Sequence, residues 1–187
     1  ADARTVELDE KVDVVICEML DTALIREPQV PVMNHAVKNL LKQGGTVIPV
    51  RAITYIELTN TDYNFYGYNF YMPYYEKCGA RRINYTLSER QLIHDVRFTE
   101  VNPIMVDKEI QLKVIREGVV NSFRLTTYVY LDEETLVAPS EWLNPPLVMP
   151  LIDENGDEIR VREGDEICLH LSYEMGSSLD YISYYLV

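Results

Sequence analysis

The chain has 187 residues, of which 30 are acidic and 17 basic, so its formal net charge is -13. Hydrophobic residues make up 47% and charged residues 25%, a composition typical of soluble globular proteins that excludes a disordered or collagen-like chain. No apolar run approaches the roughly 18–20 residues that a membrane helix requires. The negative charge disfavours a phosphate-binding surface, which needs Lys and Arg, and favours cationic partners.

The cysteines indicate a cellular compartment. Cys17, Cys78 and Cys168 are odd in number and far apart, which predicts reduced thiols in a cytoplasmic protein rather than a disulfide framework. Because no CxxC pair occurs, we predict no structural metal site. The polar first residues, ADARTVELDEKVD, predict no secretory signal.

The first third of the chain predicts one βαβ unit. Residues 12–17 form a short apolar run, as in a strand that is buried on both faces of a parallel sheet. A helix is predicted from Pro28 to the glycine pair Gly44-Gly45, because its apolar residues recur at intervals of three and four. Residues 46–50 and 53–58 then have the composition of strands.

After residue 58 the pattern favours short antiparallel strands. They are predicted at 94–101, 109–116, 119–131, 147–152, 158–162, 166–174 and 181–186. Asn155-Gly156 is a strong hairpin signal, and residues 87–92 are predicted as a short helix with Ser88 as its cap. The predicted fold class is therefore α+β: a partial Rossmann-like βαβ unit over residues 1–48, followed by a mostly antiparallel, β-barrel-like domain over residues 49–187.

A lone βαβ unit cannot cover an apolar strand on both sides. We therefore expect the 187 residues to be the C-terminal part of a longer protein. Alternatively, a second copy of the chain covers the strand, which would make the protein a homo-oligomer.

Two carboxylates bracket the loop that follows the first predicted strand. Glu18 lies at the carboxyl end of that strand, where ligands of open α/β sheets bind, and Glu27 closes the loop. Such a pair can hold a guanidinium group, since each carboxylate accepts two N–H donors. The alternative is structural: Glu18 pairs with Arg26 or Lys11, and Glu27 caps the next helix.

The segment EKVDVVICEMLDTALIREPQVPVMNHAVKNLLKQGGTVIPVRA resembles the middle of the protein arginine methyltransferases, which are class I S-adenosylmethionine-dependent enzymes. Glu18 and Glu27 match the two glutamates of that family's double-E loop in position and spacing. Pro49 matches the point where the family's cofactor-binding domain gives way to a β-barrel. The resemblance implies that Glu18 and Glu27 are the catalytic residues.

The resemblance also implies a set of binding residues. Met19 follows the first glutamate, and Ser140-Glu141-Trp142 resembles the family's threonine-histidine-tryptophan loop, so Met19, Glu141 and Trp142 are expected at the substrate. Glu141 stands where the family has histidine. Asp2-Ala3 matches a pair that contacts the adenine of the cofactor.

The function predicted from the sequence is methyl transfer from S-adenosyl-L-methionine to a cationic side chain of a protein. Two alternatives stay open, an RNA methyltransferase of the same fold and a non-catalytic β-barrel binding module. The glycine-rich cofactor turn is missing from the 187 residues. We therefore expect this chain alone to bind the cofactor weakly or not at all, and to be inactive.

Overall fold

A computed structural model describes residues 1–76, 84–140 and 142–187. Strand β1 (Val12–Ile16) is followed by helix α1 (Gln29–His35), and a π-helical turn over Ala36–Leu40 leads into β2 (Leu41–Ile48). Strands β1 and β2 pair in parallel. The predicted strand–helix–strand order is therefore confirmed, although the helical segment, α1 with the π-helical turn, ends at Leu40, before the predicted glycine stop.

The other regular elements of the described chain are β-strands, apart from 3₁₀ turns at Thr22–Leu24 and Leu179–Tyr181. The strands are β3 (Arg51–Asn60), β4 (Asn64–Phe65), β5 (Tyr68–Asn69), β6 (Tyr74–Tyr75), β7 (Tyr85–Thr86), β8 (Gln91–Arg97), β9 (Met105–Lys113), β10 (Gly118–Val120), β11 (Ser122–Tyr130), β12 (Leu136–Ala138), β13 (Leu147–Pro150), β14 (Ile159–Val161), β15 (Glu166–Glu174) and β16 (Ser183–Leu186). Every pairing among them is antiparallel, which confirms a mostly antiparallel, β-rich α+β fold.

The central sheet is built on the long pair β3 and β11, which are in register from Ser122 opposite Thr59 to Tyr130 opposite Arg51. Its strand order is β6-β13-β11-β3-β7, with β8 also paired to β3. A second sheet has the order β16-β15-β9. Within the described residues these strands lie in separate sheets and do not close into one hydrogen-bonded ring.

The hydrophobic core is one cluster of buried side chains, contributed by α1, the central sheet and the second sheet. Phe123 and Leu125 from β11, Ile56 from β3, and Leu169 from β15 are all fully buried in it. Polar side chains of β11 are also buried, Ser122 and Thr127 among them. A buried hydroxyl needs a hydrogen-bond partner, and that of Thr127 binds the backbone of the loop after β1.

The predicted helix over residues 87–92 is wrong. Ser88 forms an isolated bridge with Val114, and β8 begins at Gln91. The Ser88 hydroxyl accepts a hydrogen bond from the backbone N–H of Leu58 at 2.8 Å, so it serves a neighbouring strand instead of a helix. Asn155-Gly156 does form a turn, with Gly156 at φ +86°, but the flanking β13 and β14 pair with other strands.

The parallel pair is a sheet of two strands, so among the described residues each of them has one unpaired edge. β1 has β2 as its only neighbour, and Val14 and Ile16 are 48% and 74% exposed. The change from parallel to antiparallel pairing falls between Ile48 and Arg51, close to the predicted boundary, but separate domains remain a prediction. Along the described ranges, no helix is long and apolar enough to span a membrane.

Candidate functional site

The loop between β1 and α1 carries both predicted glutamates at its ends. Glu18 and Glu27 are exposed, and neither forms an ion pair with any described residue. The Glu18 carboxylate accepts only a long contact, 3.4 Å, from the backbone N–H of Leu20. Both carboxylates therefore keep their hydrogen-bonding capacity. That they face one shared cavity stays a prediction.

Arg26 does not neutralise Glu18, which contradicts that part of the structural alternative. Its guanidinium instead binds Asp21 through two nitrogens, at 2.9 and 3.2 Å, and stacks over the ring of Tyr75 at 4.7 Å. The Tyr75 hydroxyl also donates to Asp21, at 3.1 Å. Burial, and then the charge of Asp21, raise the pKa of Tyr75. Asp21 is only 5% exposed, so the cation next to Glu27 is held by a buried carboxylate.

No side chain caps the first turn of α1 in the described structure. Glu27 contributes its backbone carbonyl, which accepts a hydrogen bond from the N–H of Gln29 at 2.9 Å. The predicted capping role of the Glu27 side chain is therefore also wrong. Its carboxylate is left without a structural task in the described contacts.

The middle of the loop has an unusual backbone. Ala23 and Leu24 both have φ of +58°, in the left-handed region that L-residues other than glycine rarely occupy. Both residues are completely buried. Such a conformation costs on the order of 1–3 kcal/mol per residue and persists only where the surroundings impose it.

Three side chains from the antiparallel strands support this turn, of which Thr127 and Tyr173 are buried and His94 is half-buried. The N–H of Ala23 donates to the Thr127 hydroxyl of β11 at 2.7 Å, and the Tyr173 hydroxyl of β15 donates to the Ala23 carbonyl at 3.1 Å. His94 Nε2 lies 3.1 Å from the Tyr173 hydroxyl. Burial lowers the pKa of His94 to about 4 and raises that of Tyr173. The loop is therefore fixed to strands β11 and β15 by neutral hydrogen bonds.

The second predicted loop lies beside the first. The hydroxyl of the buried Thr22 donates to the carbonyl of Pro145 at 2.8 Å, which connects the two loops. Trp142 is 87% exposed, three residues before that contact. Glu141 lies outside the described residues. Met19 is half-buried, and its N–H donates to the Gln29 side chain at 2.8 Å.

The predicted cofactor pair is exposed and already engaged. Both carboxylate oxygens of Asp2 bind the side chain of Arg4, at distances from 2.7 to 3.2 Å. These hydrogen bonds lower the pKa of Asp2 to about 2. Ala3 is exposed. No described contact joins either residue to Glu18 or Glu27.

The cysteines and acidic side chains form no metal centre among the residues that the structure describes. Cys17 is buried and Cys168 half-buried, both as free thiols, while Cys78 lies outside the described residues. Burial, together with the charge of Glu18, raises the pKa of Cys17 to about 11. Cys17 is therefore a protonated core residue at neutral pH.

Two archaeal proteins are similar to this chain over most of its length. The uncharacterized protein MJ1452 of Methanocaldococcus jannaschii is 36% identical over 182 residues, which are 97% of this chain and 64% of that protein. An uncharacterized protein of Methanothermobacter thermautotrophicus is 31% identical over 170 residues, 90% of this chain and 60% of its own length. The chain thus spans less than two thirds of either relative. No protein-family model matches it.

Several residues of the site were not predicted from the sequence. Asp21, Gln29, Tyr75, Thr127 and Tyr173 all contact the loop or its flanks. Thr127 and Tyr173 lie 104 and 150 residues from Ala23 along the chain, so no local pattern connects them to the loop. Of these residues, only Asp21 could have been predicted from the sequence, because it is a third carboxylate in the loop between the two glutamates.

Proposed function

We propose that this chain is part of an S-adenosyl-L-methionine-dependent methyltransferase that resembles the protein arginine methyltransferases, with Glu18 and Glu27 binding the cationic group of a protein acceptor. One observation carries the proposal. The two carboxylates at the ends of the loop are exposed and have no described ion pair, because the adjacent Arg26 is bound by Asp21. A cationic group from another molecule could therefore pair with both carboxylates.

The position of the loop supports the same function. Glu18 lies two residues after Ile16, the last residue of β1, which runs parallel to β2, and ligands of open α/β sheets bind beyond such strand ends. In the proposal, β1, α1 and β2 belong to a Rossmann-like sheet that continues from the exposed edge of β1. The antiparallel remainder is then a barrel-like substrate-binding domain, with Met19, Trp142 and Glu141 near the acceptor.

The contribution of the two glutamates would be binding and orientation. Two carboxylates can accept four N–H donors of a guanidinium in fixed geometry, which leaves the reacting nitrogen turned towards the methyl donor. Their negative charge also stabilises positive charge on that nitrogen during transfer. S-adenosyl-L-methionine would supply the methyl group as a sulfonium.

The predicted pair Asp2-Ala3 does not by itself make a site for that cofactor. Asp2 is bonded to Arg4, and Ala3 offers no polar side chain. In the proposal, the glycine-rich turn belongs to a part of the full-length protein outside these 187 residues. Calorimetric titration of the 187-residue chain should therefore show no micromolar binding of the cofactor, and micromolar binding would mean that the site has been misplaced.

The main test is methyl transfer by the full-length protein, with radiolabelled cofactor and separate protein and RNA acceptors. We expect label in protein, and we expect Glu18→Gln and Glu27→Gln each to lower kcat/KM by about a hundredfold or more, because each removes half of the cation's charged partners. Glu10→Gln is the matched control, since Glu10 is exposed but lies before β1.

Three outcomes would contradict the proposal. Unchanged transfer in both variants would exclude the binding role of the two glutamates. Label found in RNA and absent from protein would favour an RNA methyltransferase of the same fold. A full-length protein that binds no S-adenosylmethionine would favour a non-catalytic binding module.

A further inference from the structure

The side chain of Gln29 bonds the backbone on both sides of Glu18. Its Nε2 donates to the carbonyl of Cys17 at 3.0 Å, and its Oε1 accepts the N–H of Met19 at 2.8 Å. The Cys17 thiol adds a weaker contact to the same Oε1, at 3.4 Å. Both peptide groups that flank Glu18 are therefore fixed by one amide.

Gln29 is itself held firmly. It is the first residue of α1 and is completely buried. The hydrogen bond from its backbone N–H to the Glu27 carbonyl, at 2.9 Å, joins it to the other end of the loop. On the opposite side, the N–H of Cys17 donates to Ile48 of β2 at 3.0 Å. Gln29 thus connects the start of the loop, through its side chain, to the end of the loop, through its backbone N–H.

We infer that Gln29 is a positioning residue that fixes Glu18 relative to Glu27 and so sets the spacing of the two carboxylates. This inference rests on the proposed function, since spacing has a consequence only where both carboxylates bind one cation. The amide suits the task because it donates and accepts at once. A hydrocarbon side chain of the same length would fill the space but leave the Met19 N–H and the Cys17 carbonyl unpaired.

The test uses Gln29→Met in the full-length protein with two measurements. Hydrogen exchange at the Met19 amide, followed by NMR, should become at least tenfold faster than in wild type. Methylguanidinium, titrated while the carboxylate signals of Glu18 and Glu27 are recorded, should bind at least tenfold more weakly. Val30→Ala is the control, because Val30 is fully buried in the same helix and forms none of these hydrogen bonds. It should lower stability without changing either measurement.

The outcomes separate this inference from the proposed function. Wild-type exchange at Met19 in Gln29→Met would overturn the positioning role, and so would faster exchange with unchanged methylguanidinium affinity. If wild type binds no methylguanidinium, the proposed function fails. Exchange at Met19 alone then decides whether Gln29 holds the backbone around Glu18. Should Gln29→Met not fold, Gln29→Glu replaces it. That variant keeps the acceptor for Met19 but loses the donor to Cys17, so intermediate changes in both measurements are expected, and wild-type values would again overturn the role.

Discussion

The loop at residues 21–24 and the hairpin formed by β4 and β5 both pass through left-handed backbone, yet they are supported in opposite ways. Ala23 and Leu24 are fully buried, and side chains from β11 and β15 hold Ala23. In the hairpin, Tyr66 and Gly67 have φ of 52° and 90°, and Tyr66 is fully exposed. The hairpin's turn is held by Asn64, three residues from Gly67.

This difference indicates how each conformation is specified. The hairpin follows from its own residues, because a left-handed pair that includes glycine matches the twist of its two strands. The buried loop has no glycine at its strained positions, so the rest of the fold must impose its shape. Disturbing the contacts that β11 and β15 make with Ala23 should therefore release the loop and leave the hairpin unchanged.

Acidification should give the largest effect, because it charges His94, which supports the buried loop and not the hairpin. The folded pKa of His94, about 4, lies below the ordinary value of 6.5, because burial disfavours the charged ring. Between these two values the unfolded chain binds a proton that the folded chain does not. Stability contributed by neutral His94 is therefore complete above pH 6.5 and is lost as the pH falls towards 4, by about 2–3 kcal/mol.

Urea unfolding of wild type and His94→Gln across this range measures the effect, since the titration of other groups cancels in the difference. The free energy of unfolding of wild type should fall more steeply than that of the variant. Parallel curves for the two proteins would show that His94 titrates normally, and that the buried contact with Tyr173 does not form in solution.

A smaller effect should follow from removing one hydroxyl beneath the loop. Thr127→Val leaves the buried N–H of Ala23 without its acceptor, which should lower the free energy of unfolding by about 1–3 kcal/mol. Thr126→Val is the matched control, because Thr126 is its buried neighbour on β11 and has no described side-chain hydrogen bond. Equal stability losses in the two variants, measured by urea unfolding, would contradict the assigned support.

The smallest effect should come from the hairpin. Asn64→Ala removes the side-chain acceptor of the Gly67 N–H at an exposed site, and we expect it to change the free energy of unfolding by less than about 0.5 kcal/mol. Amide chemical shifts of residues 21–24 should not change. A loss above about 1 kcal/mol would mean that the hairpin packs against the rest of the protein more closely than its exposure indicates.

The sequence was most informative where the signal was local. The apolar run of β1 and the long strands β11 and β15 were predicted close to their observed positions, because each is a sustained pattern bounded by turn residues. The failure at Ser88 has a clear cause: a hydroxyl that suits a helix cap is used by Leu58 on a neighbouring strand. Local propensity cannot distinguish these two uses.

In the candidate site, too, the residues with a local sequence signal were predicted and the others were missed. Glu18 and Glu27 were found because the loop that carries them is continuous in sequence. Their supports were missed, since a buried Thr127 and a buried Tyr173 in β-strands look like ordinary core residues until the partner at Ala23 is known. Gln29 was overlooked because a glutamine at a predicted helix start is usually exposed.

The connection between Thr22 and Pro145 has a practical consequence. Trp142 is the single tryptophan of the chain, and it lies 87% exposed on the loop that Thr22 contacts. All indole fluorescence of the chain therefore reports on this loop. A cationic ligand that settles there would shield the ring from water and shift its emission to shorter wavelength, so binding can be followed without attaching a dye.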